Sequence, residues 1–192
     1  MNETKTTDPT AALNAIPAEA EVELYTDGAC LSNPGPAAAA FALIYQGVVI
    51  HSAARFLGHG TNNVGELSAA IDGLRFLADR TDLRVTLLSD SEQVVKAMPE
   101  WLPKWKAKGW RTAGGKPVTN RPLYEELDAI ASAFPSLRWK HIKGHAGHEF
   151  NELVDGLANG AAESGAFISA LSTTTTGSFL ISRCIASSGI TP

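Results

Sequence analysis

The fold is decided by the stretch Tyr25-Thr26-Asp27-Gly28-Ala29-Cys30-Leu31-Ser32-Asn33-Pro34-Gly35-Pro36, residues 25–36. An apolar run, residues 22–25, predicts a buried β-strand that leads into a proline- and glycine-rich turn, so Asp27 is expected where the strand ends. An ionised carboxylate there needs a hydrogen-bond or metal partner, because burying an unpaired charge is costly. A hydrogen bond to the following turn is the simpler explanation for Asp27 alone. Other carboxylates at the same place would indicate a functional site.

The composition indicates one domain of about 150 residues with additional segments at its ends. The chain has 192 residues, of which 44% are hydrophobic. No run approaches the ~20 apolar residues of a membrane span, and the first residues lack a signal-peptide pattern, so we expect a cytoplasmic protein without membrane association. Cys30 and Cys184 lie far apart and indicate neither a disulfide framework nor a Cys-based zinc site.

The hydrophobic periodicity predicts an α/β fold with a five-stranded mixed sheet. Residues 22–25, 37–45 and 48–56 have β-type patterns with tight connections, which predicts three antiparallel strands. From residue 63 the apolar period becomes helical, and two further strands are predicted at residues 84–89 and 137–143. Because helices separate these strands, we expect two parallel additions to the sheet, with helices on both faces.

The two ends of the chain differ from its middle. Residues 1–20 lack apolar periodicity, which predicts a flexible N-terminal extension followed by one folded domain at residues 21–165. Residues 166–192 are rich in Ser and Thr and predict a C-terminal tail outside the core. The apolar Phe179-Leu180-Ile181 could instead pair with an edge strand or associate with another chain.

Three further carboxylates are expected near Asp27. Asp90 follows a predicted strand, and the C-terminal ends of parallel strands meet at one edge of a sheet. Glu66 borders the buried face of the first long helix, and Asp155 lies on the last helix. Each has a simpler explanation alone, such as capping a helix for Asp90 or facing solvent for Glu66. Together, crowded carboxylates repel one another, and hard cations such as Mg²⁺ or Mn²⁺ would relieve that repulsion.

One basic segment stands out in an acidic chain of net charge −4. Between residues 96 and 121 there are seven Lys and Arg residues against one acid, and three of the four tryptophans lie within ten residues. The tryptophans are expected to form a small satellite core. Solvation alone would explain the lysines, but their clustering also suits a negatively charged partner.

Five ordered motifs resemble those of the bacterial type 1 ribonucleases H. They are residues 26–36, Thr61-Asn62-Asn63-Val64-Gly65-Glu66-Leu67, Ser89-Asp90-Ser91, residues 101–120, and Lys143-Gly144-His145-Ala146-Gly147-His148 with Asn151 and Asp155. Together they span about residues 22–163. The resemblance implies a ribonuclease H-like fold and metal-dependent endonucleolytic cleavage of the RNA strand in RNA–DNA hybrids, giving 5′-phosphate and 3′-hydroxyl ends.

The resemblance also implies roles for individual residues. The four metal-binding acids of the family match Asp27, Glu66, Asp90 and Asp155, which would hold two Mg²⁺ ions during catalysis, with Mn²⁺ as a possible substitute. His145 matches a loop histidine that assists proton transfer or product release. The matching substrate contacts are Asn33, Asn62 and Glu92 on the RNA strand, Thr61 and Asn120 at a phosphate of the DNA strand, and a basic protrusion at about residues 99–120 with Trp101, Lys104, Trp105, Lys106, Lys108 and Trp110. No protein partner is implied, and a monomer is expected.

Two positions depart from the family pattern. Glu92 stands where Gln is common, and His59 stands where an Arg commonly binds phosphate more strongly than imidazole does. We expect weaker or more pH-dependent hybrid binding with the same reaction. Integrases, transposases and junction resolvases use similar sheets and clustered acids, and a hybrid-binding module without catalysis is a second alternative. The loop histidine, the basic segment and the presence of all four acids favour a ribonuclease H.

Overall fold

A mixed β-sheet lies at the centre of the structure, a computed structural model that describes residues 8–144 and 147–171. The strands are β1 (Glu21–Cys30), β2 (Gly35–Tyr45), β3 (Val48–Gly60), β4 (Arg84–Ser89), β5 (Arg138–His141) and β6 (Ile168–Leu171). The helices are α1 (Pro9–Asn14), α2 (Asn62–Phe76), α3 (Glu92–Val95), α4 (Leu102–Ala107), α5 (Arg121–Ala131) and α6 (Glu149–Ser164), with a π-helical turn, Ala97–Trp101, between α3 and α4.

The strand order across the sheet is β5-β4-β1-β2-β3-β6. The first three strands pair antiparallel, β4 pairs parallel with β1, and β5 pairs parallel with β4. Gln46 and Gly47 both have positive φ angles, which suits the two-residue hairpin between β2 and β3. The predicted antiparallel meander with two parallel additions is therefore confirmed.

Helices cover both faces of the sheet, as predicted. On one face, α2 packs its Leu67 and Ile71 into a core that includes Leu24 of β1. On the other face, α6 packs against β2, where Ala40 and Ala42 are buried. Such small side chains leave room for a helix to lie close to the strands. The central strand β1 is thus held between two helices, and α2 and α6 are the ones that carry Glu66 and Asp155.

The sheet has six strands, whereas the sequence predicts five. The additional strand, β6, pairs antiparallel with β3 from Ala54–Ile168 to His51–Leu171 and comes from the predicted C-terminal tail. Ile168 packs against the core on the α6 side. The unpaired edge of β3 offers backbone hydrogen-bonding groups to a following segment, and a four-residue strand is too short to show periodicity. Phe179-Leu180-Ile181 lies outside the described residues.

Part of the predicted N-terminal extension packs on the core. The Asp8 carboxylate accepts a hydrogen bond from the Thr10 backbone N–H at 3.0 Å, which caps α1. Leu13 and Ile16 are buried, and the Arg80 guanidinium donates to their carbonyl oxygens at 2.6 and 2.8 Å. The segment that follows Asp8 is therefore anchored by burial and by hydrogen bonds.

Within residues 8–144 and 147–171, no helix has the length and hydrophobicity needed to cross a bilayer.

Candidate active site

Asp27 lies inside β1, whereas the sequence predicts it at the end of the strand. The antiparallel pairing of β1 with β2 continues to Cys30, but its parallel pairing with β4 stops at Tyr25 and Leu88. After Tyr25, the edge of β1 that faces β4 therefore has no paired strand, and Asp27 lies in this unpaired part of β1. Asp90 comes directly after the last residue of β4. The expectation that these two carboxylates meet where the parallel pairing ends agrees with the structure.

Glu66 reaches the same place because two glycines bring α2 against the sheet. A Cβ on Gly28 would lie 2.1 Å from the backbone nitrogen of Glu66, and one on Gly65 would lie 2.7 Å from the Ala38 carbonyl oxygen. Any side chain at either position would push the helix away. Thr61 caps α2 by accepting a hydrogen bond from the Val64 N–H at 3.4 Å. The start of α2 is thus fixed against β1 and β2.

Three carboxylates form a compact group in the structure. Asp27, Glu66 and Asp90 each offer an oxygen that lies within 4.8 Å of the other two. Asp27 is 6% exposed and Glu66 is 4% exposed. The Gly28 N–H donates to Asp27 Oδ1 at 2.7 Å, and Asn62 Nδ2 donates to Glu66 Oε1 at 3.3 Å. Glu66 Oε2 is buried and has no hydrogen-bond partner among the described residues.

The fold opposes the negative charge of this group. Burial, and then the charge of Asp90, raise the pKa of Asp27 to about 7. Burial also raises the pKa of Glu66 well above its ordinary value, with added contributions from Asp27 and Asp90. A buried carboxylate oxygen without a partner, beside two further carboxylates, fits a divalent cation that binds oxygen ligands. The acidic site therefore fits divalent metal binding.

Asp155 lines the same cleft from α6 but does not belong to the compact group of three. Its charge contributes to the raised pKa of Asp27, so the two side chains are close enough to interact. The cleft has a volume of about 420 Å³. It is lined by Asp27, Gly28, Ala29, Cys30, Asn62, Glu66, Asp90, Ser91, Asp155 and Asn159. The structure thus brings the four predicted acids to one cleft.

Asn159 is a residue of this cleft that the sequence analysis missed. Its Nδ2 donates to Asp155 Oδ1 at 2.8 Å and to the Asp155 carbonyl oxygen at 2.9 Å. Residues four apart on a helix are neighbours. An Asn four residues after a candidate acid on a predicted helix therefore indicates a possible hydrogen bond to that acid.

The last residue of β5 and the segment that follows it also lie against Asp90. His141 Nε2 lies 3.0 Å from the Asp90 carbonyl oxygen, and a Cβ on Gly144 would lie 2.5 Å from Asp90 Oδ2. Gly144 therefore leaves the space that the Asp90 carboxylate occupies. His145 lies outside the described residues, so its role remains a prediction.

The residues predicted to contact the RNA strand lie at or near this cleft. Asn33 Oδ1 accepts a hydrogen bond from the Asn62 backbone N–H at 3.2 Å, which ties the β1–β2 turn to the start of α2. Glu92 forms an ion pair with Lys96 at 2.6 Å. The carboxylate at this predicted contact position is therefore paired with a cation of the same protein. Of the predicted phosphate ligands, Thr61 is engaged in capping α2, and Asn120 adopts a left-handed backbone conformation before α5.

The basic segment contains the predicted tryptophan cluster. The ring centroids of Trp101 and Trp105 are 5.9 Å apart, and Trp105 meets Tyr124 edge-on at 5.0 Å. The Arg121 guanidinium lies 4.9 Å from the Trp110 ring centroid, in a cation–π contact.

The lysines of the segment differ in their surroundings. Lys104, Lys106 and Lys108 are all exposed. Lys106 forms an ion pair with Asp128 of α5. The Lys106 ammonium is therefore already paired with a carboxylate of the same protein.

Comparison with known proteins decides the family. The RNase H family model matches residues 19–163, which include all four acids. The chain belongs to the RNase H family. The ribonuclease H of Treponema pallidum subsp. pallidum is 43% identical over 157 residues, covering 76% of this chain and 92% of the relative.

Two solved structures resemble this ribonuclease H. LC9-RNase H1, described as a type 1 RNase H with the type 2 active-site motif, has a TM-score of 0.68 and 27% identity, covering 82% of this chain and 79% of that chain. LC11-RNase H1 in complex with an RNA/DNA hybrid has a TM-score of 0.57 and 28% identity, covering 75% of this chain and 98% of that chain. The predictions of a type 1 ribonuclease H and of its fold are confirmed.

Proposed function

We propose that this ribonuclease H hydrolyses the RNA strand of RNA–DNA hybrids endonucleolytically, using two divalent metal ions. The observation that carries the proposal is the group of three carboxylates whose oxygens lie within 4.8 Å of one another, two of them almost fully buried. The raised pKa values of Asp27 and Glu66 favour a cation as their partner. The complex of LC11-RNase H1 with an RNA/DNA hybrid supports the substrate class.

The four acids would share the metal ions. Asp27, Glu66 and Asp90 would hold one ion, and Asp27 with Asp155 would hold the other. Mg²⁺, or Mn²⁺ as a substitute, would supply Lewis acidity that activates water and stabilises the leaving 3′-oxygen. The products would carry 5′-phosphate and 3′-hydroxyl ends. His145 would move a proton or assist product release.

Recognition of RNA would depend on amides at the rim of the cleft. A ribose 2′-hydroxyl both donates and accepts hydrogen bonds, and a side-chain amide can do both as well. Asn33 and Asn62, joined by a hydrogen bond, would meet such hydroxyls. Glu92 can only accept while it is ionised, and its ion pair with Lys96 reduces the repulsion of nearby phosphates.

The DNA strand would be held away from the reacting phosphate. Thr61 and Asn120 would contact one phosphate, and His59 would contribute more weakly than an arginine. The basic protrusion would follow the backbone through its lysines, with Trp101, Trp105 and Trp110 as its support. The enzyme would act as a monomer without an obligatory protein partner.

A parallel digestion experiment tests this function against its alternatives. Strand-labelled RNA–DNA hybrid, duplex DNA and duplex RNA are incubated with the enzyme, with Mg²⁺ or with EDTA. We expect cleavage of only the RNA strand of the hybrid, and only with Mg²⁺. Strand breaks in duplex DNA would favour an integrase- or resolvase-like reaction. Hybrid binding without cleavage at any metal concentration would indicate a binding module.

A further inference from the structure

Each of three acids in the cleft is held by a neutral donor. Gly28 N–H donates to Asp27, Asn62 Nδ2 donates to Glu66, and Asn159 Nδ2 donates to Asp155. None of the ion pairs within residues 8–144 and 147–171 involves these acids. A neutral N–H orients a carboxylate without competing with a metal ion for its charge. The arrangement therefore orients metal ligands and leaves their charge unpaired.

Asp155 needs such a donor more than the buried Asp27 and Glu66 do. It lies outside the compact group of three and is only partly buried, so packing constrains its carboxylate less. Asn159 occupies one of its two carboxylate oxygens, Oδ1, at 2.8 Å and also bonds the carbonyl oxygen of the same residue. This double contact fixes the Asn159 amide relative to α6. One orientation of the Asp155 carboxylate is thereby favoured, with Oδ2 left for another partner.

We propose that Asn159 is a positioning residue that prepares Asp155 to bind a divalent cation. The inference rests on the proposed function, because it takes Asp155 as a metal ligand. Ordering the carboxylate before the ion arrives lowers the entropic cost of binding, which is the general benefit of preorganisation. Loss of a residue that orients a ligand commonly weakens metal affinity or activity about 10- to 100-fold. Asn159 would therefore set the metal requirement of the enzyme.

Three variants separate positioning from a structural role. Asn159→Ala removes the donor while keeping a good helix former. Asn159→Gln keeps an amide that can reach back one helical turn. Ser164→Ala is the matched control, because Ser164 Oγ donates to the Gly160 carbonyl oxygen at 2.6 Å on the same helix, away from the cleft. All three are checked for folding by thermal unfolding in EDTA.

Two measurements decide the proposal. The first is the Mg²⁺ concentration that gives half-maximal hybrid cleavage. The second is Mn²⁺ binding to the protein, followed through the paramagnetic resonance signal of free Mn²⁺, with and without a hybrid that cannot be cleaved. For Asn159→Ala we expect the half-maximal Mg²⁺ concentration to rise about 10- to 100-fold and Mn²⁺ binding to weaken. At saturating Mg²⁺ its rate should recover to within a few-fold, with an unchanged KM for the hybrid.

The Gln variant and the control variant show whether an amide at position 159 is what matters. Asn159→Gln should recover most of the metal affinity, and Ser164→Ala should match the parent. Metal affinity equal to the parent in Asn159→Ala, or a loss of rate that no Mg²⁺ concentration restores, would overturn the proposal. If the parent binds Mn²⁺ but does not cleave hybrid, the proposed function fails, and the Mn²⁺ comparison alone still decides the role of Asn159.

Discussion

Asp27 and Glu66 are carboxylates that the fold holds in an environment opposed to their charge. Both are more than nine-tenths buried, and their hydrogen-bond donors are a backbone N–H and a side-chain amide. Such an arrangement costs stability in the absence of a cation, and binding of a cation restores that stability. The stability of the metal-free protein should therefore reveal whether the site is built for a cation.

Replacing Asp27 by Asn should abolish hybrid cleavage and stabilise the metal-free protein. Because the pKa of Asp27 rises from its ordinary 3.8 to about 7 in the fold, its contribution to stability is complete below about pH 4 and is lost as the pH rises through 7. At pH 8 the difference amounts to at most about 4 kcal/mol. Denaturant unfolding in EDTA from pH 4 to 8 checks this. The variant should show a flatter pH profile and higher stability at pH 8.

The exposed carboxylate of Asp79 supplies the control for that experiment. Asp79→Asn should keep both the pH profile and the activity of the parent. If Asp27→Asn keeps near-normal Mg²⁺-dependent turnover, Asp27 is not a metal ligand. A pH profile parallel to that of the parent would show that its ionisation is not opposed by the fold.

Packing between elements places the acids, and glycines allow that packing. Two of these glycines, Gly28 and Gly144, have different kinds of neighbour. At Gly28 the obstacle to a side chain is the backbone of α2, whereas at Gly144 it is the end of the Asp90 side chain. Backbone atoms of a packed helix cannot move aside cheaply, but a partly exposed carboxylate can. The two glycines should therefore have separable roles.

Gly28→Ala and Gly144→Ala should both impair cleavage, but only the first should impair folding. We expect Gly28→Ala to lose about 1–3 kcal/mol or more, because the helix must shift. Gly144→Ala should keep its unfolding midpoint in EDTA and lose metal-dependent turnover, because its methyl group displaces the Asp90 carboxylate. Gly156→Ala, on α6 with open space around it, is the control and should be neutral or slightly stabilising. Full activity of Gly144→Ala would show that the position of Asp90 is not critical.

The edge strand β6 divides the C-terminal region into two parts with different expected effects. Deleting residues 172–192 should leave hybrid cleavage within a few-fold of the full chain. Deleting residues 167–192 removes the pairing with β3 and the partly buried contact of Ile168 with the core, so it should lower the thermal unfolding temperature. Equal stability of the two truncated proteins would show that β6 contributes nothing to the fold.

The basic segment concerns the whole molecule, because its residues do not line the cleft and we expect them to bind the substrate outside it. Replacing Lys104, Lys106 and Lys108 with Gln should raise KM much more than it lowers kcat, since contacts made equally in the ground and transition states affect binding alone. Each lost phosphate contact should flatten the slope of log affinity against log salt by about 0.9. Lys106 is paired with Asp128, so its single variant should contribute less than those of Lys104 and Lys108.

Hybrid binding measured across a salt series checks this prediction. The triple variant should lose up to about three units of slope on the duplex-DNA scale. A variant that keeps both the affinity and the slope of the parent would show that the lysines form only a solvated surface.

The sequence predicts the sheet and the meeting of the acids because both depend on long patterns. The hydrophobic period changes from two residues to that of a helix, and parallel strands end at the same edge of a sheet. These two features together predict that Asp27, Asp90 and Glu66 lie close to one another. Hydrophobic periodicity does not predict the short elements. The four-residue strand β6 is too short to show a period. The helix α1 is also short, but the Asp8-Pro9 pair at its start is a sequence pattern typical of a helix N-terminus. The close contact of α2 with β1 depends on two particular glycines, which periodicity does not detect.

We propose that the acidic cleft binds metal ions and uses them to cut RNA paired with DNA. The most direct test is the initial rate of cleavage of a hybrid labelled on its RNA strand, measured against Mg²⁺ concentration for the parent and for Asp90→Asn. We predict Mg²⁺-dependent release of fragments with 5′-phosphate ends by the parent, and no cleavage by a folded Asp90→Asn protein. Cleavage by the parent in EDTA, or Mg²⁺-dependent cleavage by Asp90→Asn at the parental rate, would contradict the claim.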